Sequence, residues 1–406
     1  KEDMAASDKV RIQYASKYDM SSNYWKNTIG MIRGIDRLKV KSRKESAENA
    51  FQLWAIRNSS SEEEYNLALG MIFQAVEQNK PLLGPLQYLE EAMLNAVEII
   101  TPAYTAYEIL GQKMKEAEAR EELKEFYAGF YKDYNEPTDR KVAKKMIRMV
   151  RWNVKDLPEV LSSVIDTEFG GDIDAYVDYL YDNSVFVSEQ RALSATPEQI
   201  EYDPAFILAS SVIDKMNEWN RKSMDNRVEK MFGQYLYIRG LMERQPERAW
   251  YPDANFTIRL TYGRVLPYRL ETGGVSDWYT TLDGVMAKED TTSTEFIVPR
   301  RLKELYEAKD YGRYANEKGE LPVAFLSDCD ITGGNSGSPM MNSRGELIGL
   351  AFDGNWESMS CNVAFEPEVQ RAIGVDVRYV LFVIDKFAGA DWLLDEMTIV
   401  KDGVRI

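Results

Sequence analysis

With 406 residues, 44% of them hydrophobic, the chain is long enough for two or three domains and a sizeable core. A formal net charge of −16 argues against a nucleic-acid partner, which needs clustered Lys and Arg, and no apolar run approaches the length of a bilayer span. The chain has no histidine, hence no imidazole of its own for acid–base work, and its two cysteines are too few for a standard zinc site.

The sequence begins Lys1-Glu2-Asp3 with no basic-then-apolar leader, so a processed or truncated product is expected. From there to about Gln245 the pattern is helical. Asn23 and Asn27 stand at i, i+4 spacing with Tyr24 and Trp25 between them, an amide pair that could bind a polar ligand or simply face solvent. Ser61-Glu-Glu-Glu64 fits a capping box ahead of Leu67, Met71 and Ile72. Leu86, Leu89, Met93, Val97 and Ile100 then recur every three or four residues as one apolar face. Pro81, Pro85, Pro102 and Pro137 are expected at or near helix starts and turns. The basic stretch Arg140–Arg151 reads as a helix face. The carboxylates from Asp172 to Asp178 read as a helix cap rather than a calcium loop, because an EF-hand would need glycine where Val177 stands.

Near Arg244–Asp253 two prolines interrupt the helical period, which sets the expected boundary between an α-helical domain over 1–245 and a second domain over 246–406. Phe256–Tyr262 alternates apolar with polar side chains as a half-buried strand does. Further strands are expected over Pro322–Leu326, Leu347–Phe352 and Val375–Val383, with a turn at Ser343-Arg-Gly345. A helix around Ile384–Leu394, or an extended tail, closes the chain. The expected class is α+β: helices, then a small antiparallel barrel.

Chemistry concentrates in Thr332-Gly-Gly-Asn-Ser-Gly-Ser-Pro339. Glycines around Ser336 allow a tight turn in which the amides of Gly334 and Ser336 converge on one developing oxyanion. Strand, hairpin and strand follow, ending in Phe352-Asp-Gly-Asn-Trp356, where Phe352, Asp353 and Gly354 would run beside a substrate; glycine there leaves room for a bulky side chain. Asp353-Gly354 could equally be a plain turn. Cys329 and Cys361 bracket the serine and could pair in an oxidising compartment, or remain two buried thiols.

Together Ser22–Asn27, Tyr251–Gly263, Thr332–Pro339 and Gly349–Glu357 resemble, in order and over essentially the whole chain, the bacterial dipeptidyl-peptidase 7 and dipeptidyl-peptidase 11 family. That resemblance implies a two-barrel chymotrypsin fold with an inserted helical lid, releasing dipeptides from free peptide N-termini, in the periplasm or secreted, without a cofactor and as a homodimer. It makes Ser336 the nucleophile and Gly334 part of the oxyanion hole. Asp353 and Asn23, with Asn27 as fallback, would hold the α-ammonium. Gly354 is the position that is glycine in the dipeptidyl-peptidase 7 type and arginine in the acid-selective type, so a hydrophobic residue before the scissile bond is expected. The family's catalytic His and Asp lie in a first barrel upstream of Lys1. The chain is therefore expected to be a C-terminal fragment, inactive alone, whose partner is that missing barrel. The alternatives are a peptide-binding protein that does not cleave, or a trypsin-like endopeptidase fragment.

Overall fold

A computed structural model describes residues 1–58, 64–111, 116–252, 255, 257–270, 272–293, 295–401 and 403–405. It resolves into two compact units, Lys1–Ser22 with Ala47–Arg248, and Asn23–Ser46 with Ala249–Ile406. The helices Asp8–Arg37 and Val40–Asn58 therefore each contribute to both. Division by sequence position placed Asn23–Ser46 with the other helices; contacts made more than 300 residues along the chain place it with the C-terminal part. Among the described residues no helix is long and apolar enough to cross a membrane.

The first unit is helical. The expected apolar face is buried: Leu89, Met93, Val97 and Ile100 join Ile147, Leu161, Leu180, Phe186, Leu208 and Trp219 in one core. Pro102 lies in the first turn of the helix Ile100–Gly111, and Pro137 opens the helix Glu136–Asn153, which Asn135 caps by accepting from the Thr138 amide. Pro81 and Pro85 depart from expectation by standing inside the helix Ala68–Leu89. Each removes one backbone hydrogen bond, and burial of Ala68, Ala75 and Leu89 outweighs that loss. Residues 61–63 of the expected capping box lie outside the described residues. Asp172 caps the helix Ile173–Asn183 as read, and the basic face pairs with carboxylates: Arg140 with Glu136, Asp178 and Asp182, Lys144 with Asp178, Arg151 with Asp166. Asp139 is wholly buried and accepts from the amides of Glu98 and Ile99.

The second unit is built on a five-stranded antiparallel sheet. Its strands are β1 (Tyr279–Thr281), β2 (Pro322–Ser327), β3 (Pro339–Met341), β4 (Leu347–Gly354) and β5 (Ala372–Asp376), in the order β1-β2-β5-β4-β3. Among the described residues the sheet is open, so α+β holds while a closed barrel does not emerge. Two strand expectations fail. Residues 257–262 form no strand and Ile258, Leu260 and Tyr262 stand exposed, because alternation without a partner strand buries nothing; Phe256 lies outside the described residues. The first pairing comes at Val265, a single bridge to Ser327. The strand expected over Val375–Val383 stops at Asp376, whose carboxylate accepts from the Arg378 amide and caps a helix over Val377–Phe382. That helix sends Phe382 into a core with Leu302, Leu305, Tyr311 and Tyr314, which overrides the β-branched propensity of Val377 and Val380. A π-turn over Val383–Phe387, a 3-10 segment over Asp391–Glu396 and a short hairpin of β6 (Val400–Lys401) and β7 (Val404–Arg405) complete the chain.

Candidate active site

Ser336 is exposed on a loop sewn to β4. The Gly337 amide donates to the Ala351 carbonyl at 2.7 Å, and the Ala351 amide returns to the Ser338 carbonyl at 2.9 Å. Asn335 closes the turn by donating its amide to the Thr332 carbonyl and accepting from the Thr332 amide on its side chain. Gly334 (φ 103°) and Gly337 (φ 82°) occupy the left-handed region, which explains glycine on both sides of the serine. Among the described residues neither the Gly334 nor the Ser336 amide has an acceptor. Ser336 Oγ sits 3.4 Å from the Phe352 carbonyl, a long contact. The turn between β3 and β4 falls at Ser343-Arg-Gly345 as expected, with Gly345 at φ 76° and Asn342 accepting from the Arg344 and Glu346 amides.

A bulge in β4 displays the next residues. Ala351 pairs with Gly374 and Asp353 with Ile373, so Phe352 is the extra residue, and after buried Ala351 both Phe352 and Asp353 are exposed instead of alternating. The Gly354 amide donates to Asp353 Oδ1 at 2.7 Å, which orients the carboxylate, and among the described residues no hydrogen bond reaches Oδ2. A methyl group on Gly354 would overlap Ser358 Oγ, itself held by the Asn355 carbonyl at 2.7 Å.

Behind this wall Asn355 and Arg371 are buried together. The Arg371 amide donates to Asn355 Oδ1, Asn355 Nδ2 donates to the Val369 carbonyl, and the two backbones bond at 2.9 Å. The Arg371 guanidinium donates to the carbonyls of Pro267, Pro367, Glu368 and Gln370. The phenol of nearby Tyr268 is pushed up by burial and then by Glu357.

The segment Asn23–Ser46 docks on the turn Trp356–Ser360 that follows Gly354. Asn27 Nδ2 donates to Met359 Sδ at 3.4 Å, Gly30 and Gly34 meet Met359 and Ser360, and the Arg33 guanidinium lies 5.7 Å from the Trp356 ring centroid. Arg37 and Arg43 reach Glu366 at 3.4 and 4.0 Å. Asn23, one turn before Asn27 on the same face, is exposed and makes no side-chain hydrogen bond among the described residues. The structure thus gathers Ser336, Gly334, Phe352, Asp353 and Gly354 on one loop and strand, and Asn27 beside the turn that follows. Cys329 and Cys361 are not bridged; Cys361 Sγ donates instead to the Ile331 carbonyl at 3.8 Å, just ahead of the serine loop. Gly30, Gly34, Ser358, Met359, Asn355 and Arg371 escaped the sequence reading. Of these only the Gly30-x-x-x-Gly34 spacing was a visible signal.

The family model described as Peptidase S46 matches residues 1–399. A protein of Phocaeicola vulgatus named dipeptidyl-peptidase 7 is 44% identical over 99% of this chain and 57% of its own length. A second of that name from Porphyromonas gingivalis is 40% identical over 98% and 57%. A crystal structure of Porphyromonas endodontalis DPP11 in complex with the dipeptide Arg-Glu superimposes with a TM-score of 0.86 at 32% identity, over 97% of this chain and 58% of that one. The chain thus spans a little more than half the length of these relatives. The expectation of an inactive C-terminal fragment is corrected by these matches. The family model takes in the helical part together with the serine loop, and the relatives matched over nearly the whole of this chain are named dipeptidyl-peptidase.

Proposed function

The chain belongs to the Peptidase S46 family, and on that premise we propose that it carries the nucleophile and the substrate wall of a serine dipeptidyl peptidase. Ser336 Oγ attacks the carbonyl carbon of a peptide's second residue, the oxyanion forms between the Gly334 and Ser336 amides, and the bond to the third residue's nitrogen breaks to release that amine. The proton leaving Oγ needs a base. The 406 residues hold no histidine to supply one. Asp353 offers Oδ2 to the substrate's α-ammonium, and Asn27 and Asn23 offer amide oxygens to the same group. Cleavage two residues from the N-terminus follows from the fixed distance between that anchor and Ser336.

Gly354 bears on the residue before the scissile bond. The room expected beside Gly354 is taken up by Ser358, but glycine itself brings no charged side chain to the wall, which favours an apolar substrate side chain. Relatives named dipeptidyl-peptidase 7 support that choice over those named Asp/Glu-specific, of which one from Porphyromonas gingivalis is 38% identical. The passage from serine loop through β3 and its hairpin to β4 is the reason to keep a chymotrypsin-like reading for this part of the sheet, and a periplasmic or secreted location belongs to the same proposal.

One observation carries the reading. An exposed serine stands between left-handed glycines, beside two amides with no acceptor among the described residues, on a loop bonded to the strand that bears Asp353 and Gly354. In the protein that contains these residues, we expect dipeptide release from free but not N-acetylated peptides, abolished by Ser336→Ala. A fluorophosphonate probe should label Ser336. Equal cleavage of the N-acetylated peptide would refute the amine-directed reading.

A further inference from the structure

The helix Asp8–Arg37 carries Asn23, Asn27, Gly30 and Gly34 at i, i+4, i+7 and i+11, which is a single face. The glycines form a notch. A methyl on Gly30 would lie 2.6 Å from Met359 Cγ and 2.7 Å from its Cβ, and one on Gly34 would lie 2.5 Å from Ser360 Cβ. These atoms are the roots of side chains rather than flexible tips, so alanine at either place displaces the helix or the turn. Met359 also reaches the other way: Sδ accepts from Asn27 Nδ2 at 3.4 Å, and Cε would stand 3.7 Å from a methyl on Gly354. One side chain therefore packs against Gly30, accepts from an asparagine amide and lies beside Gly354 of the substrate wall.

We infer that Met359, seated against Gly30 while Ser360 seats against Gly34, is a positioning residue that sets the separation between the asparagine amides and the Asp353 carboxylate. The inference rests on the dipeptidyl-peptidase reading, in which both groups converge on one ammonium. Convergent hydrogen bonds lose strength steeply with distance and angle, so a small shift of the helix along the turn weakens amine binding while leaving the serine loop, tied separately to Ala351, in place.

The test uses the whole protein that carries this chain, with a free-amine dipeptidyl substrate and its desamino analogue, in the wild type, Gly30→Ala, Met359→Ala and the double variant. Gly30→Ala should raise KM for the free amine about tenfold with kcat within about twofold, and leave the desamino analogue within about twofold. Met359→Ala should raise the same KM about threefold. The double variant should match Met359→Ala rather than show the product of the two effects, because the methyl then has space. If Gly30→Ala does not fold, the selective effect of Met359→Ala and the folding of the double variant carry the test. An unchanged KM in both single variants, an equal loss on both substrates, or multiplicative effects in the double variant would overturn the inference. A wild type indifferent to the free amine would instead refute the dipeptidyl-peptidase reading beneath it.

Discussion

Removing the charge at Asp353 while keeping its shape isolates what that carboxylate does. In Asp353→Asn the amide oxygen can still accept from the Gly354 amide, so the wall keeps its form and only the charge is lost. Two unit charges 4 Å apart attract by about 1 kcal/mol in bulk water and about 4 kcal/mol at an effective dielectric near 20. Asp353 is exposed in this chain, which pulls the value toward the lower end. Its carboxylate is already oriented by the 2.7 Å bond from Gly354, so little side-chain entropy is lost on binding and part of the attraction is kept. We take about 2 kcal/mol, or about a thirtyfold fall in kcat/KM for a free-amine dipeptidyl substrate. The control is the desamino analogue, on which wild type and variant should agree within about twofold. The difference between substrates should also shrink as salt rises, since an exposed pair is screened within about 10 Å at 0.1 M. An equal fall on both substrates would mean Asp353 is structural, and no fall on the free amine would place amine recognition elsewhere.

Two further predictions concern the frame around the site and the helical unit. Arg371→Lys leaves three donors on a point charge where a planar fork now serves four carbonyls, so at least one buried acceptor loses its partner. At about 1–3 kcal/mol per lost acceptor, hydrogen exchange at the bonded amides of Asn355 and Arg371 should quicken by about tenfold or more, and unchanged protection would refute the role given to the guanidinium. Asp139 is pushed up to about 7 by burial, against the opposing pull of the neighbouring Tyr181 phenol and of the bonds from the Glu98 and Ile99 amides. Between about pH 4 and pH 7 the folded carboxyl holds a proton that the unfolded one has released, so this group makes stability fall as pH rises through that window, by a few kcal/mol in all. Asp139→Asn should flatten the pH dependence of melting over the same range, and identical slopes for wild type and variant would count against the shifted carboxyl.

Local patterns were readable where local forces decide. The face Leu89–Ile100, the cap at Asp172, the strands at Pro322 and Leu347 and the turn before Gly345 all follow from periodicity, capping and turn chemistry, and each appears. Most of the misses trace to partners distant along the chain. Phe256–Tyr262 alternates like a strand, yet its described residues have no neighbour to pair with. Val377–Phe382 favours a strand by composition, yet Asp376 caps it and the pull of Phe382 into the core makes it helical. Asn23 and Asn27 were singled out as an amide pair, but their place in the C-terminal unit depends on Gly30 and Gly34 meeting a turn more than 300 residues away, which no local window contains.

The cage around Arg371 bears on the range of conditions in which the substrate wall keeps its shape. Peptide carbonyl oxygens do not titrate in water, and neither does the carboxamide of Asn355, so most of the bonds that brace the wall involve groups no ordinary acid will neutralise. A carboxylate pair such as Lys144 with Asp178 in the helical unit, whose acid that lysine holds below its ordinary range, still dissolves once the acid protonates, whereas a guanidinium held by dipoles keeps both its charge and its partners. Where pH drifts downward, the helical unit would lose such ion pairs well before the brace behind Gly354 gave way.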